Sequence, residues 1–400
     1  MLAKILLPTL VAIGSVSAQS GVCTFTSTQT YHSQAEATAL ANCKSVKGSI
    51  VIASDAQPNI DITGPSEITG DLSLLSNNLI ETFKSDNLAK IGGNFEIRNV
   101  TKLGALRFPK LTEVSALEWF TLNNLDTLEM ALSKAVNITI SDTFLQKLDG
   151  IDVTSINKFD INNNRRLTKF STKLGNVSDT LTISSNGLLL QVDLPNLIWI
   201  KDMQIANVTK FSAPSLATVN NSAKFDFNYF TEFLAPNLTS SGVVSFIGNP
   251  SLTNLSFPLL QTVSRDLSIA NNTALKKITG FPELEQVSGA VLLRGTFDEA
   301  DFPAIQDVKG AFDVASSANI TASCDKFKPL APANQGGNGL IQGVFSCEGL
   351  KAEATDDTGS GGSGSGSNTG GGKKDSGAAG LAVNTVLFGV AALGVAQFLL

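Results

Sequence analysis

Leu267-Ser268-Ile269-Ala270-Asn271-Asn272-Thr273-Ala274-Leu275 holds the pattern that decides the fold. Leu267 and Ile269 alternate with Ser268, as a strand with one face turned inward requires. The asparagines break that alternation, and Leu275 brings the chain back to an apolar environment six residues after Ile269. The phrase recurs as Leu72-Ser73-Leu74, Phe95-Glu96-Ile97, Phe120-Thr121-Leu122, Phe159-Asp160-Ile161, Leu181-Thr182-Ile183, Met203-Gln204-Ile205 and Phe225-Asp226-Phe227. First apolar positions fall at 72, 95, 120, 138, 159, 181, 203, 225, 244, 267, 291 and 312, a mean step of about 22 residues, which lies in the range of solenoid repeats. Ile50-Val51-Ile52 continues the register one step upstream.

The re-entry position is filled by Ile80, Leu103, Leu128, Leu167, Leu189, Phe211, Phe233, Leu252, Leu275 and Ile320. Between strand and re-entry stand Asn164, Asn186, Asn249 and Asn272, three residues after the inward one. There an amide is expected to bond backbone groups of adjacent coils as a turn-forming ladder. The return leg carries Pro-x-Leu or Pro-x-Ile, as in Pro109-Lys110-Leu111, Pro195-Asn196-Leu197, Pro258-Leu259-Leu260 and Pro303-Ala304-Ile305. Proline forbids a long helix there and cannot donate to a ladder, so this side is expected to be irregular, with the regular sheet on one face only. The expected fold is mainly β: a right-handed parallel β-solenoid of about 12–13 coils.

A coil this short cannot bury its own apolar face, so both ends of the stack need covers. Cys23 and Cys43 precede the first coil, and Cys324 and Cys347 follow the last. Pairing across the stack would close a loop around the whole solenoid, so the reading is Cys23 with Cys43 and Cys324 with Cys347, one staple per cap. A metal site is the rival, with only His32 to assist the thiols.

The 400 residues carry 42% hydrophobic content and a formal charge of −6. That acidic balance lacks the basic surface that nucleic acid requires. Residues 1–18 read as a secretory signal peptide: Lys4, an apolar stretch from Ile5 to Val16, then Val16-Ser17-Ala18. Leu381 to Leu400 is a second apolar stretch, with no charge after Lys373-Lys374-Asp375. Without basic residues behind it, it reads as a GPI-attachment signal, with Ser376 as the attachment residue and Gly377 or Asn368 as weaker alternatives. A true transmembrane span is the competing reading. Residues 359–372, rich in Gly and Ser, bury nothing and would tether the folded body as flexible coil. The expected division is signal peptide 1–18, N-terminal cap 19–48, solenoid 49–323, C-terminal cap 324–350, linker 351–376 and removed propeptide 377–400.

Nine Asn-x-Ser/Thr sequons, at Asn99, Asn137, Asn176, Asn207, Asn220, Asn237, Asn254, Asn271 and Asn319, avoid the inward positions and read as N-glycan acceptors on exposed turns. Catalytic signals are few. The one histidine, His32, lies outside the repeats, which argues against triad or zinc hydrolysis. Two carboxylates suffice for glycoside cleavage, and Asp298-Glu299-Ala300-Asp301 is the acidic cluster within the coils. It resembles part of the Glu-x-Asp-x-Glu signature of wall transglycosidases, but Pro303 stands where the last carboxylate would be. The Asp-Asp and Gly-His-Gly motifs of β-helix polygalacturonases are missing from the coils, Asp356-Asp357 being in the linker. Aromatic sugar platforms are limited to Trp119, Trp199, Tyr31 and Tyr229, while most of the 23 Phe read as core filling.

Leu-x-Ile-x-x-Asn-x-x-Leu coils, Pro-x-Leu-x-x-Val returns, terminal cysteine pairs, a Gly/Ser linker and the C-terminal signal together resemble one group over essentially the full length. These are the fungal GPI-anchored cell-wall organisation proteins of the extracellular-mutant and sporulation-specific type, whose coils are similar to the leucine-rich repeats of receptor L domains. The resemblance implies a surface glycoprotein for wall integrity that meets the membrane through a lipid anchor and works beside wall polysaccharide or mannoprotein. It implies no catalytic residue and no cofactor. Lys373-Lys374 just before the attachment site implies retention at the plasma membrane, with transfer to the wall the alternative. Two other readings stay open: a β-helix glycan hydrolase using dispersed carboxylates, and a receptor-like adhesion or ligand-capture module.

Overall fold

The computed structural model of the protein describes residues 21–355. The expected signal peptide, most of the linker, Ser376 and the propeptide lie outside the described residues. Within them the chain is a parallel β-solenoid of about 13 coils. Every strand pairing pairs a coil with the next in parallel register, as in Leu267 with Val291 and Ile269 with Leu293. One sheet of 21 strands takes in two sides of the coils, and the third side carries smaller sheets of four, three, two and two strands.

The pairings place the first inward residue of each coil at 50, 72, 95, 117, 138, 159, 181, 203, 223, 244, 267, 291 and 312, with steps of 20 to 24. Two pairs therefore differ from the periodicity. Leu117 and Trp119 take the inward strand positions where Phe120 and Leu122 were expected; Phe120 is half-buried, while Leu122 is still buried in the core just after the positive-φ Thr121, and Ala223 and Phe225 stand in place of Phe225 and Phe227. Re-entry shifts too: Leu125 and Leu190 are fully buried, Leu128 is half-buried and Leu189 is exposed.

The return leg is also more regular than expected. Short strands such as Ala105–Phe108, Gln191–Asp193 and Glu232–Leu234 precede the prolines and pair from coil to coil. Stacking equivalent segments in register satisfies the backbone on every side. Proline is confined to the turn that follows, where Leu111, Leu197 and Leu260 point inward and are buried.

Ten successive coils turn out of the main strand through a residue with positive φ: Ser76, Asn99, Thr121, Asp142, Asn163, Ser185, Asn207, Phe227, Gly248 and Asn271. Small polar residues and glycine accept this conformation most readily, and an amide or hydroxyl also bonds locally there. The next residue is the ladder position. Asn249 is fully buried; its Nδ2 donates to the Phe225 carbonyl at 2.8 Å, and its Oδ1 accepts from the Asn228 amide at 2.7 Å. Asn272 repeats this toward Phe246 and Asn249, and Asn186 toward Ile161 and Asn164. Asn77 and Asn228 belong to the same ladder, and Thr143 stands in the column by donating its hydroxyl to Asn164 Oδ1 at 2.7 Å.

A continuous apolar core fills the stack from Cys23 to Ile341. Its C-terminal half is an aromatic spine running Phe211, Phe225, Phe233, Phe246, Phe257, Phe281, Phe302 and Phe312 to Phe327, with ring centroids 4.4–6.4 Å apart. Such pairs add about 0.5–1.5 kcal/mol each beyond the area they bury. At the N-terminal end Gln29–Tyr31 pairs with Ile50–Ile52, so the cap itself continues the register, while the helix Gln34–Ala37 and the following turn bury Ala37 and Leu40 over the open core. At the other end the helix Thr321–Phe327 buries Phe327, and Phe345–Glu348 adds a last strand beside Phe312–Ser316. Disulfides join Cys23 to Cys43 and Cys324 to Cys347, with Cα separations of 5.5 and 5.6 Å.

Asn249→Ala leaves the Asn228 amide and the Phe225 carbonyl buried without partners. The expected loss is about 3 kcal/mol, from two such groups. Asn78→Ala, one residue beyond the ladder and exposed, should stay within about 0.5 kcal/mol of the parent. Chemical denaturation of the two variants checks the contrast, and equal losses would remove the ladder's structural role.

Candidate functional surface

The outward side chains of the main strands line up in columns because the coils stack in register. The middle column runs Thr139, Asp160, Thr182, Gln204, Lys224, Ser245 and Ser268. Beside it, one column nearer the corner, stand Ser141, Asn162, Ser184, Ala206, Asp226, Ile247 and Ala270. These short side chains are mostly half-buried by their neighbours, giving a flat face rich in hydroxyl, amide and carboxylate groups.

Hydrogen bonds fix several of them. Ser141 Oγ donates to Asn162 Oδ1 at 2.6 Å, and Asn162 Nδ2 donates to Asp160 at 2.8 Å. In the adjoining column, Thr180, Asp202 and Ser222, Ser222 donates to Asp202 Oδ1 at 2.7 Å, as does the neighbouring Asn221. Asp226 Oδ1 accepts from Ser245 Oγ at 3.0 Å and from the Ile247 amide at 3.1 Å. Burial holds the Asp226 carboxyl above the usual carboxylate range, against the lowering effect of those hydrogen bonds and of Lys224. Toward the N-terminal end the face becomes charged. Arg98 bridges Glu96 and Glu118, the latter at 2.7 Å, and its guanidinium lies 3.9 Å from the centre of the Phe120 ring.

A groove of ≈ 560 Å³ opens on another side of the coils, lined by Lys90, Glu113, Ser115, Lys134, Val136 and Ser155 among others. Glu113 sits between Lys134 at 3.1 Å and Lys90 at 3.6 Å, and Lys90 continues to Glu67 at 3.5 Å. The lysines hold the Glu113 carboxyl below its ordinary range. These ion pairs are exposed and contribute little to stability.

Four of the nine sequon asparagines sit along the borders of the columned face. Asn99, Asn207 and Asn271 occupy positive-φ corners along one border. Asn220 lies at the bulge on the opposite border, where pairing with the next coil shifts register between Val219 and Ser222. Asn176 starts the strand Asn176–Ser184 and Asn254 the short strand Asn254–Ser256; Asn237 follows a proline turn and Asn319 belongs to the C-terminal cap. Asn137, Asn176 and Asn220 all lie in strands of the large sheet, and Asn137 stands in register with Lys158, Thr180, Asp202 and Ser222, the column beside the middle one. None is buried, and none falls in the two columns described above.

The acidic cluster does not assemble into a pair of free carboxylates. Glu299 pairs with Lys277 at 2.8 Å and Asp301 with Lys326 at 2.6 Å, and Lys277 holds the Glu299 carboxyl below its ordinary range. A glycosidase acid needs the opposite shift. His32 is exposed and bonds Asp55 at 2.7 Å. Of the aromatic platform candidates, Trp119 is fully buried against Phe95 and Tyr31 is buried, Trp199 is half-buried, and Tyr229 is exposed. Phe227, which periodicity placed in the core, is 60% exposed at a corner with φ of 56°. Holding a bulky side chain in that conformation costs about 1–3 kcal/mol. Its ring lies against Gly248, where a Cβ would come within 2.8 Å of the ring carbons.

Comparison with known proteins bears on the whole chain. A family model described as "GPI-anchored cell wall organization protein" (Ecm33) matches residues 1–41. The chain is 33% identical to protein ecm33 of Aspergillus fumigatus over 84% of its own length and 83% of that protein. It is 34% identical to sporulation-specific protein 2 of Saccharomyces cerevisiae, over 76% of this chain and 60% of that protein. A cell surface GPI-anchored protein of Arthroderma benhamiae is 31% identical over 80% of this chain and 81% of its own. No solved structure matches.

The raised Asp226 carboxyl predicts a pH dependence. Below the ordinary aspartate range the group is protonated in folded and unfolded chains alike; as pH rises through its raised folded value, the folded state bears a charge that burial penalises, and stability falls. Asp226→Asn keeps an acceptor for Ser245 and Ile247 without the charge. It should therefore melt higher than the parent at pH 7 and equal to it at pH 3, which thermal unfolding at the two pH values decides.

Proposed function

The chain belongs to the Ecm33 family of GPI-anchored cell wall organization proteins, and we propose that it serves there without catalysis, as a rigid surface on which wall polymer is bound and ordered. It is a protein of the fungal cell surface, and its function is in cell-wall organisation. The observation that carries the finer reading is the continuous polar middle column on the main sheet, flanked by a second column that is polar at Ser141, Asn162, Ser184 and Asp226, both clear of sequons over their length. A hydroxyl-rich polysaccharide laid along the stack meets a fresh short polar side chain at every coil, about 4.8 Å further on. Asp160, Asp202 and Asp226 are already fixed by their neighbours, so little side-chain entropy is lost when they accept hydrogen bonds from a ligand.

The remaining parts follow from the sequence. Residues 1–18 act as signal peptide, Ser376 receives the GPI lipid after loss of 377–400, and the tether begins only after Thr355 rather than at 351, because Ala352–Thr355 is a helical turn with Ala354 buried and Lys351 bonded to Ser316. The nine sequon asparagines carry N-glycans, and those on Asn99, Asn207, Asn220 and Asn271 border the binding face. The lysine-paired state of Glu299 and Asp301 supports the non-enzymatic reading over the hydrolase one.

Gln204→Arg together with Ser268→Arg places bulk and charge on the middle column without touching the core. Sedimentation of the purified protein with insoluble wall β-glucan and chitin should fall at least tenfold with the melting temperature unchanged. Undiminished sedimentation would remove the columned face from the account. In the same preparations the parent should release no reducing sugar from either polymer; turnover that Glu299→Gln abolishes would establish the hydrolase reading instead.

A further inference from the structure

We propose that the exposed Phe227 ring, with Tyr229 beside it, is the stacking platform for the first sugar of the N-glycan on Asn207, one coil below. The proposal rests on the reading that Asn207 is glycosylated. The sequon Asn207-Val208-Thr209 and the segment Phe227-Asn228-Tyr229 lie side by side on successive coils. The Asn207 amide donates to the Phe227 carbonyl at 3.2 Å, Val208 to Asn228 Oδ1 at 3.1 Å, and the Tyr229 amide to the Val208 carbonyl at 2.8 Å. Asn207 Oδ1 accepts from the Ser185 amide at 3.2 Å, which orients the side-chain amide; Nδ2, the atom that would bear the sugar, lies 3.4 Å from the Phe227 carbonyl oxygen. A sugar attached there starts one coil from Phe227, on the side of that coil opposite Gly248, against which the ring lies.

The chemistry fits an N-acetylhexosamine. One face of its pyranose presents axial C–H groups, which pack on the negative face of an aromatic ring, and neither partner loses a hydrogen bond in doing so. The geometry also accounts for two oddities at this corner. Phe227 holds a positive φ that other coils give to Asn, Ser, Thr, Asp or Gly, and it stays 60% exposed although the core takes most other phenylalanines. Gly248 on the next coil leaves room for the ring. Backbone strain held at an exposed site points to a role outside the fold. Tyr229, 41% exposed, lies two residues on and can meet the next sugar along.

The test is a double-mutant cycle on the full chain, purified from a glycosylating fungal host, using Phe227→Leu, Asn207→Gln and both together. Glycopeptide mass spectrometry of the parent comes first. An unoccupied Asn207 overturns the glycosylation reading and this proposal with it. With Asn207 occupied, Phe227→Leu should lower the unfolding midpoint by about 2 °C more in the glycosylated parent than in the Asn207→Gln background, the scale of one ring contact in a domain of this size. The N-acetyl methyl proton signal of that glycan should also move downfield as the ring current is lost. Equal midpoint losses in the two backgrounds with no change in the methyl signal overturn the platform while leaving glycosylation intact. A coupling seen with Asn271→Gln in place of Asn207→Gln would assign the ring to the other flanking glycan and overturn the proposal as stated.

Discussion

The corner after each main strand, a positive-φ residue followed by a buried ladder side chain, is the constraint on which the rest of the protein depends. In six of the coils the ladder residue is asparagine, and in all of them its amide bonds a carbonyl of the coil before; in five, all but Asn77, its oxygen also accepts a backbone amide from that coil. A buried amide left unmatched would cost more than it contributes when paired, so each coil fixes the rotation of the next. That is how coils of 20 to 24 residues, with different core side chains, keep one register from residue 50 to residue 312.

Register in turn makes the functional face. Stacked strands place outward residues in straight columns, and because most of them are short, and those of the middle column polar, the columns form a strip. The left-handed corner both ends the strand and favours Asn, so Asn99, Asn207 and Asn271 serve as corner residues and sequons at once. Glycans carried there and at Asn220 would stand along the borders of the strip. The caps and their disulfides close the ends, leaving lateral surface as the place where a partner can act.

Much of this was legible in the sequence, and the failures have physical causes. The 22-residue period, the cysteine pairing and the ladder at Asn164, Asn186, Asn249 and Asn272 follow from spacing alone. Hydrophobicity does not record which way a side chain points, however. Leu117, Trp119, Phe120 and Leu122 crowd one strand, so the phase slipped there; at Phe227 an aromatic occupies a corner that is polar elsewhere, and the phase slipped again. That second slip hid Asn228, which is three residues after Phe225 and therefore on the ladder once the register is right. The short strands of the return leg were missed because proline marks the turn and says nothing of the three residues before it. The polar strip leaves no local signal: it exists when residues about 22 apart are brought side by side.

Thr182→Asn tests the central claim most directly, because with Ser184 it completes a sequon in the middle column and so installs a glycan on the strip. In cells lacking the native chain, the variant should fold, reach the surface and carry the extra glycan, yet fail to restore resistance to wall-perturbing dyes. Full resistance with that glycan in place would contradict the account.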